Sequence, residues 1–247
     1  MLAATLSGGA AASAPAAATK PASLLPRILH WSGQDWQIYA DLQQGPEKVP
    51  LSNSQAAANV DSRGRLHLRI NNVSGVWRSV ELETVNPLGY GTYTMKVDAT
   101  PAKFDPWVVL GMFTFTPGGT PYQNEIDVED SRFPNLLRAP NNAQFAVQPY
   151  YVRNHEHGYY LKPTVHHLFQ QFTWLPGSHG VGTARFQTRA GSRARSPLIA
   201  RWHFRGKSVP KPGSEHLYLA LWTNQGKPPN HGTHAAIIRS FSFRPAG

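Results

Sequence analysis

The chain contains no cysteine. This absence excludes a disulfide scaffold, a zinc–thiolate centre and a cysteine nucleophile. A chain without cysteine gives no information on whether it works in an oxidising or a reducing compartment. No run approaches the roughly 20 apolar residues of a transmembrane helix, so we expect no membrane partner. No amphipathic pattern of three helical turns is present, and neither is a dinucleotide fingerprint or a phosphate loop. These absences leave a β-rich protein as the expectation.

Acidic residues are also few. The chain has 14 Asp and Glu against 24 Lys and Arg, a formal charge of +10. Such a charge attracts nucleic acid, anionic membrane or anionic polysaccharide, although most of the cations are scattered as on an ordinary soluble surface. The dense stretch from Arg185 to Lys207 holds few aromatic side chains that could stack on bases. We therefore predict no nucleic-acid partner, and an acidic glycan stays open as a substrate.

The first residues differ in composition from the rest. Residues 1–25 are rich in Ala, Ser and Pro, and Ala10 to Ala18 resembles the small-residue end of a secretory signal, although a basic leader is missing. We expect residues 1–25 to form a disordered tail or the remnant of a signal segment, and residues 26–247 to form one domain. We expect a monomer that is secreted or periplasmic.

Alternating hydrophobicity dominates the remainder. Leu66 to Ile70, Tyr93 to Val97 and Leu217 to Trp222 place apolar residues at every second position, as half-buried strands do. Trp107 to Phe115 is apolar almost throughout, which predicts a strand buried on both faces. The 21 Gly and 21 Pro mark turns between such runs without any repeat period. This pattern predicts an all-β sandwich or barrel.

The most informative segment is acidic. Side chains alternate between the two faces of a strand, so Glu125, Asp127 and Glu129 share one face while Ile126 and Val128 share the other. Neighbouring carboxylates on one face lie roughly 6.6 Å apart and repel one another, which raises at least one pKa. A strand gains no stability from such a row. The row therefore suggests a site, although an exposed solvated strand or a cation site would also contain it.

Glycoside cleavage uses this set of groups. One carboxylate attacks or stabilises the anomeric carbon, while a second must hold a proton for the leaving oxygen. A retaining enzyme needs its two carboxyls about 5–5.5 Å apart. The Cα atoms of Glu125 and Glu129 would lie roughly 13 Å apart on a straight strand, so their side chains must lean together.

Glu125 to Glu129 resembles the active-site motif of glycoside hydrolase family 16, which includes lichenases and laminarinases. The resemblance extends over most of the chain from about Trp31. Its further blocks are Ser79 to Leu82, Gly89 to Tyr93 and Leu219 to Trp222. The order and spacing of these blocks are more specific than the five-residue motif.

The resemblance implies a β-jelly roll of two curved antiparallel sheets with a substrate cleft across the concave one. It also implies a retaining mechanism with Glu125 as nucleophile, Glu129 as general acid/base and Asp127 as the assisting residue between them. Candidate sugar contacts are Glu81, Tyr90, Tyr122, Gln148 and Trp222. No cofactor and no catalytic metal is implied, while a structural Ca²⁺ bound by oxygen ligands stays open.

Two positions depart from the family pattern. Gln170 stands where many relatives carry the His of a His-x-Phe-x-Trp pattern that ends here at Trp174, and Gln148 stands where an Asn is often found. The expected activity is retaining endo-hydrolysis of a β-linked polysaccharide, with a β-glucan as the leading substrate. A transglycosylase on the same fold and a non-catalytic carbohydrate-binding module are the alternatives.

Overall fold

The computed structural model describes residues 25–40, 49–116, 124–133, 139–229 and 234–247. Tyr122 and all but the last residue of the expected tail 1–25 lie outside these ranges. The expectations for them remain predictions.

The described residues form strands and only two short 3₁₀ turns, at Pro101–Lys103 and Asn224–Gly226. The strands are β1 (Arg27–Trp31), β2 (Gln34–Ile38), β3 (Ala58–Val60), β4 (Leu66–Arg69), β5 (Asn71–Val73), β6 (Val76–Arg78), β7 (Val80–Thr84), β8 (Gly91–Val97), β9 (Val108–Phe115), β10 (Ile126–Asp130), β11 (Ala143–Val147), β12 (Glu156–Tyr159), β13 (Leu168–Leu175), β14 (Gly182–Ala190), β15 (Leu198–Gly206), β16 (His216–Thr223) and β17 (Ala235–Pro245).

Two antiparallel sheets contain all of these strands except β5 and β6, which form a small ribbon. The eight-stranded sheet has the order β1-β2-β7-β16-β9-β10-β11-β12, and the seven-stranded sheet has the order β15-β14-β13-β8-β17-β4-β3. Consecutive strands pair towards the edges of each sheet, whereas strands distant in sequence pair in its middle, because the chain passes from one sheet to the other. The predicted all-β jelly-roll sandwich is confirmed.

The core lies between the two sheets, where alternate residues of each strand meet. Leu217, Leu219 and Leu221 of β16 are buried there, and so are Ile126 and Val128 of the acidic strand. The predicted inward direction of these apolar residues is confirmed. It could be predicted from the sequence because the alternation of side chains between the two faces of a strand is a local property.

Strand β9 is buried on both sides, as its continuous apolar run predicts. Leu110 and Met112 face the core between the sheets. Val109 and Phe113 belong to a second apolar cluster on the opposite face of the eight-stranded sheet. We call that opposite face the acidic face, because Glu81, Glu83, Asp127 and Glu129 lie on it.

Candidate active site

The entry to the acidic strand is anchored to β9. Thr114 Oγ1 donates to the backbone oxygen of Asn124 at 2.9 Å and accepts from the Ile126 N–H at 3.1 Å. Asn124 has a positive φ of 62°, a conformation that Asn tolerates better than most residues. Glu125 therefore sits immediately before β10 and directly after a fixed bend.

Asp127 is the buried centre of the row. Gln148 Nε2 donates to Asp127 Oδ2 at 2.9 Å, and the Tyr150 N–H donates to Gln148 Oε1 at 2.8 Å, which fixes the orientation of the amide. Asp127 Oδ1 is buried and meets no hydrogen-bond donor among the described residues. Burial and the charges of Glu125 and Glu129 hold the pKa of Asp127 well above its ordinary range.

Glu125 shares a hydrogen bond with Asp127. Burial, and then the charge of Glu129, raise the pKa of Glu125 to about 8, while the bond to Asp127 acts in the opposite direction. A bond between two carboxyls needs one proton.

Glu129 has its own polar partner. Gln144 lies opposite Glu129 on β11, and its Nε2 donates to Glu129 Oε2 at 2.6 Å. Each member of the row is thus held separately: Glu125 by Asp127, Asp127 by Gln148, and Glu129 by Gln144. Sequence reasoning missed Gln144, because only the pairing of β10 with β11 places it beside a carboxyl.

Glu81 lies in the same transverse row of the sheet as Glu129. The two positions between them are Ala220 and Gly111, which carry little or no side chain. A Cβ at Gly111 would lie 2.8 Å from Trp222 Cζ3, so the indole ring covers this glycine. The Trp222 ring thus occupies the space between the two carboxyls. It is 5% exposed.

A second buried carboxyl, that of Glu83, lies near Glu81 on the acidic face. Tyr218 donates to Glu83 Oε2 at 2.5 Å and Tyr39 donates to Glu83 Oε1 at 3.2 Å. Burial and the charge of Glu83 raise the pKa of Glu81 to about 8. Glu81 therefore presents a protonated carboxyl near neutral pH, which can donate as well as accept a hydrogen bond.

The structure gathers most of the predicted site residues on the acidic face. Asp127 is hydrogen-bonded to Gln148 and Glu125, Glu129 is held beside them by Gln144, and Glu81 and Trp222 share their face of the sheet. Tyr90 precedes β8 of the other sheet, where its ring packs edge-on against Trp174 with centroids 5.0 Å apart. The sugar-binding roles remain predictions.

A further carboxyl lies under the acidic strand. Asp130 follows Glu129, so it points to the opposite face and is 0% exposed between the sheets. Gln170 Nε2 donates to Asp130 Oδ1 at 2.8 Å. Burial raises the pKa of Asp130 to about 7, with a smaller contribution from Glu129. Gln170, the residue that departs from the family pattern, is thus the hydrogen-bond donor to the buried Asp130.

The remaining polar groups bear on the expected absence of a catalytic metal. Among the described residues, no group of three or more His, Asp and Glu side chains is placed to hold a metal ion. The same residues include no helix that is long and apolar enough to cross a bilayer. The structural Ca²⁺ left open by the sequence is untested.

No protein-family model and no curated protein sequence matches the chain. Solved structures do. A β-1,3-1,4-glucanase (lichenase) derived from a mouse hindgut metagenome is 19% identical, with a TM-score of 0.59 over 90% of this chain and 100% of its own. A Bacillus licheniformis β-glucanase is 18% identical, with a TM-score of 0.59 over 90% of this chain and 99% of its own.

A Mycobacterium tuberculosis protein described as an immunostimulatory antigen and pseudo β-1,3-glucanase is 14% identical, with a TM-score of 0.58 over 86% of this chain and 91% of its own. At these identities the three comparisons establish a common fold. The chain has the jelly-roll fold of these glucanase structures.

Proposed function

We propose that this protein is a retaining endo-hydrolase of a β-linked polysaccharide, with a β-glucan as its substrate, and a member of glycoside hydrolase family 16. The observation that carries the proposal is the row of three carboxyls, each with its own partner, on one face of β10. Polar groups as deeply buried as Asp127, 1% exposed, cost stability that a scaffold would not retain without use. The glucanase fold supports the same proposal.

In the first step the Glu125 carboxylate attacks the anomeric carbon. The glycosidic C–O bond breaks, its electron pair goes to the leaving oxygen, and that oxygen takes the proton of Glu129. A glycosyl ester on Glu125 results. A proton that Asp127 donates towards Glu125 favours the ionised, attacking form of Glu125 and opposes the effect of burial, because a bond donated to the charged form stabilises that form.

In the second step Glu129, now a carboxylate, takes a proton from water as the water oxygen attacks the anomeric carbon. The ester bond breaks and its electron pair returns to Glu125, which restores both carboxyls. Gln144 holds Glu129 in place through both steps. Glu81 and the Trp222 ring flank the row, where they can meet sugar hydroxyls and the flat C–H face of a ring.

The test is the variant Glu125→Gln assayed for new reducing ends on a panel of β-glucans. Removing a nucleophile lowers kcat by about 10³-fold or more. Asp35→Asn removes an exposed carboxylate on β2, four strands away from β10 in the sheet, and is the control that should keep most of the activity. The anomeric configuration of the first product, read by NMR, tests retention, and a tagged acceptor sugar detects transglycosylation. A Glu125→Gln variant with undiminished rate contradicts the proposal, and an inverted first product contradicts the retaining mechanism.

The pH profile gives a second prediction. The raised pKa values of Glu125 and Asp127 mean that the site holds protons well above pH 4.5, so the acid limb of kcat/KM should lie between pH 5 and about 8. Rates of a soluble β-glucan from pH 4 to pH 10 measure this. An acid limb at the ordinary carboxyl value would show that the row titrates as exposed groups do.

A polymeric substrate is too large to enter a cell, which supports a secreted or periplasmic location. Fractionation of the source cells with an antibody against the protein tests this, and recovery in the cytoplasm alone would contradict it.

A further inference from the structure

The outer face of the seven-stranded sheet is built from a part of the chain without acidic residues. Between Glu156 and Glu215 there is no Asp or Glu, while nine Lys and Arg occur there, eight of them from Arg185 to Lys211. This part supplies the neighbouring strands β13, β14 and β15 and the turns between them. The positive net charge of the protein is therefore concentrated on one side of the sandwich.

Alternation brings these cations to the surface. On β15, Arg201, His203 and Arg205 are exposed, while Trp202 and Phe204 between them pack toward the core. Arg185 of β14 is exposed and lies directly opposite His203. The outward cations lie on β14 and β15 and, across the uncharged strand β13, on β8 and β17. We call this outer surface the basic face, with the cations Lys96, Arg185, Arg189, Arg201, His203, Arg205 and Arg244.

Three exposed arginines of the basic face have no neutralising carboxylate within the part of the chain that the structure describes. Among the described residues, no carboxylate pairs with Arg185, Arg201 or Arg205. Charged residues on an edge strand such as β15 discourage sheet-to-sheet aggregation. That explanation does not extend to Arg185 or Lys96, which lie on interior strands of the sheet. The positive potential of this face is available to a partner.

A chain of polar side chains crosses the basic face between the cations. Arg189 Nε donates to Gln187 Oε1 at 2.8 Å, Gln187 Nε2 donates to Gln171 Oε1 at 2.7 Å, and Gln171 Nε2 donates to Thr94 Oγ1 at 2.9 Å. These bonds hold the amides against the sheet. The surface therefore offers fixed amide and hydroxyl groups interleaved with guanidinium groups, which suits a ligand that carries both hydroxyls and anions.

The same geometry favours a polysaccharide over other polyanions. Proteins that bind single-stranded nucleic acid stack its bases on exposed aromatic rings, but Trp202 and Phe204 face inward here. Same-face positions lie about 6.6–6.8 Å apart along a strand, and adjacent strands about 4.8 Å apart. Several guanidinium groups can therefore contact successive anionic groups of one polymer lying along the sheet, and such contacts reinforce one another.

We propose that the basic face is a second binding site, separate from the acidic face, for an acidic polysaccharide that carries carboxylate or sulfate groups. The acidic face has the opposite charge and suits a neutral chain. The basic face would hold the protein on an anionic matrix while the acidic face acts on a neutral glycan. The binding claim does not depend on the hydrolytic one.

The experiment measures affinity in gels that contain polygalacturonate or dextran sulfate, with a neutral β-glucan, duplex DNA and anionic phospholipid vesicles as comparison arms. All proteins carry Glu125→Gln, so that no ligand is cleaved. We expect retention by an anionic polysaccharide that is lost at high salt, because exposed charges are screened. Retention by only one of the two polymers identifies the anionic group. The triple variant Arg185→Gln, Arg201→Gln, Arg205→Gln should bind at least about tenfold more weakly.

The matched control removes the same charge elsewhere, with Arg63→Gln, Arg153→Gln and Lys227→Gln, and should weaken binding less than about twofold. In the background with Glu125 restored, both triple variants should hydrolyse a soluble β-glucan as fast as the unmodified protein. Equal loss in both triple variants would show that net charge alone binds the polymer. Displacement by the neutral β-glucan would place the polymer on the acidic face. Retention by DNA or vesicles as strong as by the polysaccharides would overturn the choice of ligand.

Discussion

The two outer faces of the sandwich differ in the burial of their charged side chains. On the acidic face, Glu81 and Asp127 are 7% and 1% exposed, and burial raises the pKa of both. On the basic face, Arg185, Arg201 and Arg205 are exposed and show no carboxylate partner among the described residues. Burying a charge is costly, whereas exposing one costs little. The acidic face therefore indicates chemistry, and the basic face indicates solubility or association.

The largest effect on stability is expected where a buried carboxyl loses its donor. Tyr218→Phe removes the hydroxyl that donates to Glu83 at 2.5 Å but keeps the ring stacked on Phe113. The unsatisfied oxygen should lower the free energy of unfolding by about 1–3 kcal/mol in urea denaturation. Tyr39→Phe, whose hydroxyl is farther from the same carboxyl, is the control and should cost less. Equal losses in the two variants would contradict the ranking.

The pKa of Asp130 is raised mainly by burial, and the charge of Glu129 adds a smaller contribution. Asp130 therefore tests the effect of burial on a carboxyl with little repulsion from neighbouring carboxylates. Its pKa is raised to about 7 in the fold, against an ordinary value of 3.8. Between these values the folded state keeps a proton that the unfolded state has lost, so stability contributed by the neutral form falls as pH rises through this window.

Asp130→Asn cannot ionise and still offers Gln170 both a donor and an acceptor. The variant should therefore gain about 1 kcal/mol or more over the unmodified protein at pH 8, but not at pH 4. Urea unfolding at the two pH values measures the difference. A gain that is the same at both would show that ionisation of Asp130 is not its cause.

The smallest effect is expected on the basic face. The triple variant Arg185→Gln, Arg201→Gln, Arg205→Gln should change the free energy of unfolding by less than about 1 kcal/mol, since exposed charges without partners contribute little. Thermal unfolding of this variant beside the unmodified protein checks it. A larger loss would mean that these side chains stabilise the sheet and would remove the contrast between the two faces.

Alternation along single strands predicted the all-β class and the shared face of the acidic row, whereas the jelly roll was predicted from the resemblance of the sequence blocks to a known family. Ile126 and Val128 had to face the core once Glu125, Asp127 and Glu129 faced away from it. Alternation also applies to Asp130, which continues the apolar face, but nothing local shows which residue could satisfy a buried carboxyl there.

The partners of the acidic row were decided by tertiary structure alone. Gln144 meets Glu129 through the register of β10 and β11, Gln170 meets Asp130 across the two sheets, and Tyr218 meets Glu83 across a separation of 135 residues. Such pairings depend on which strands become neighbours, and distant segments of one sequence do not state that. The sequence by itself determined which side chains share a face of a strand, and the fold determined what lies opposite each of them.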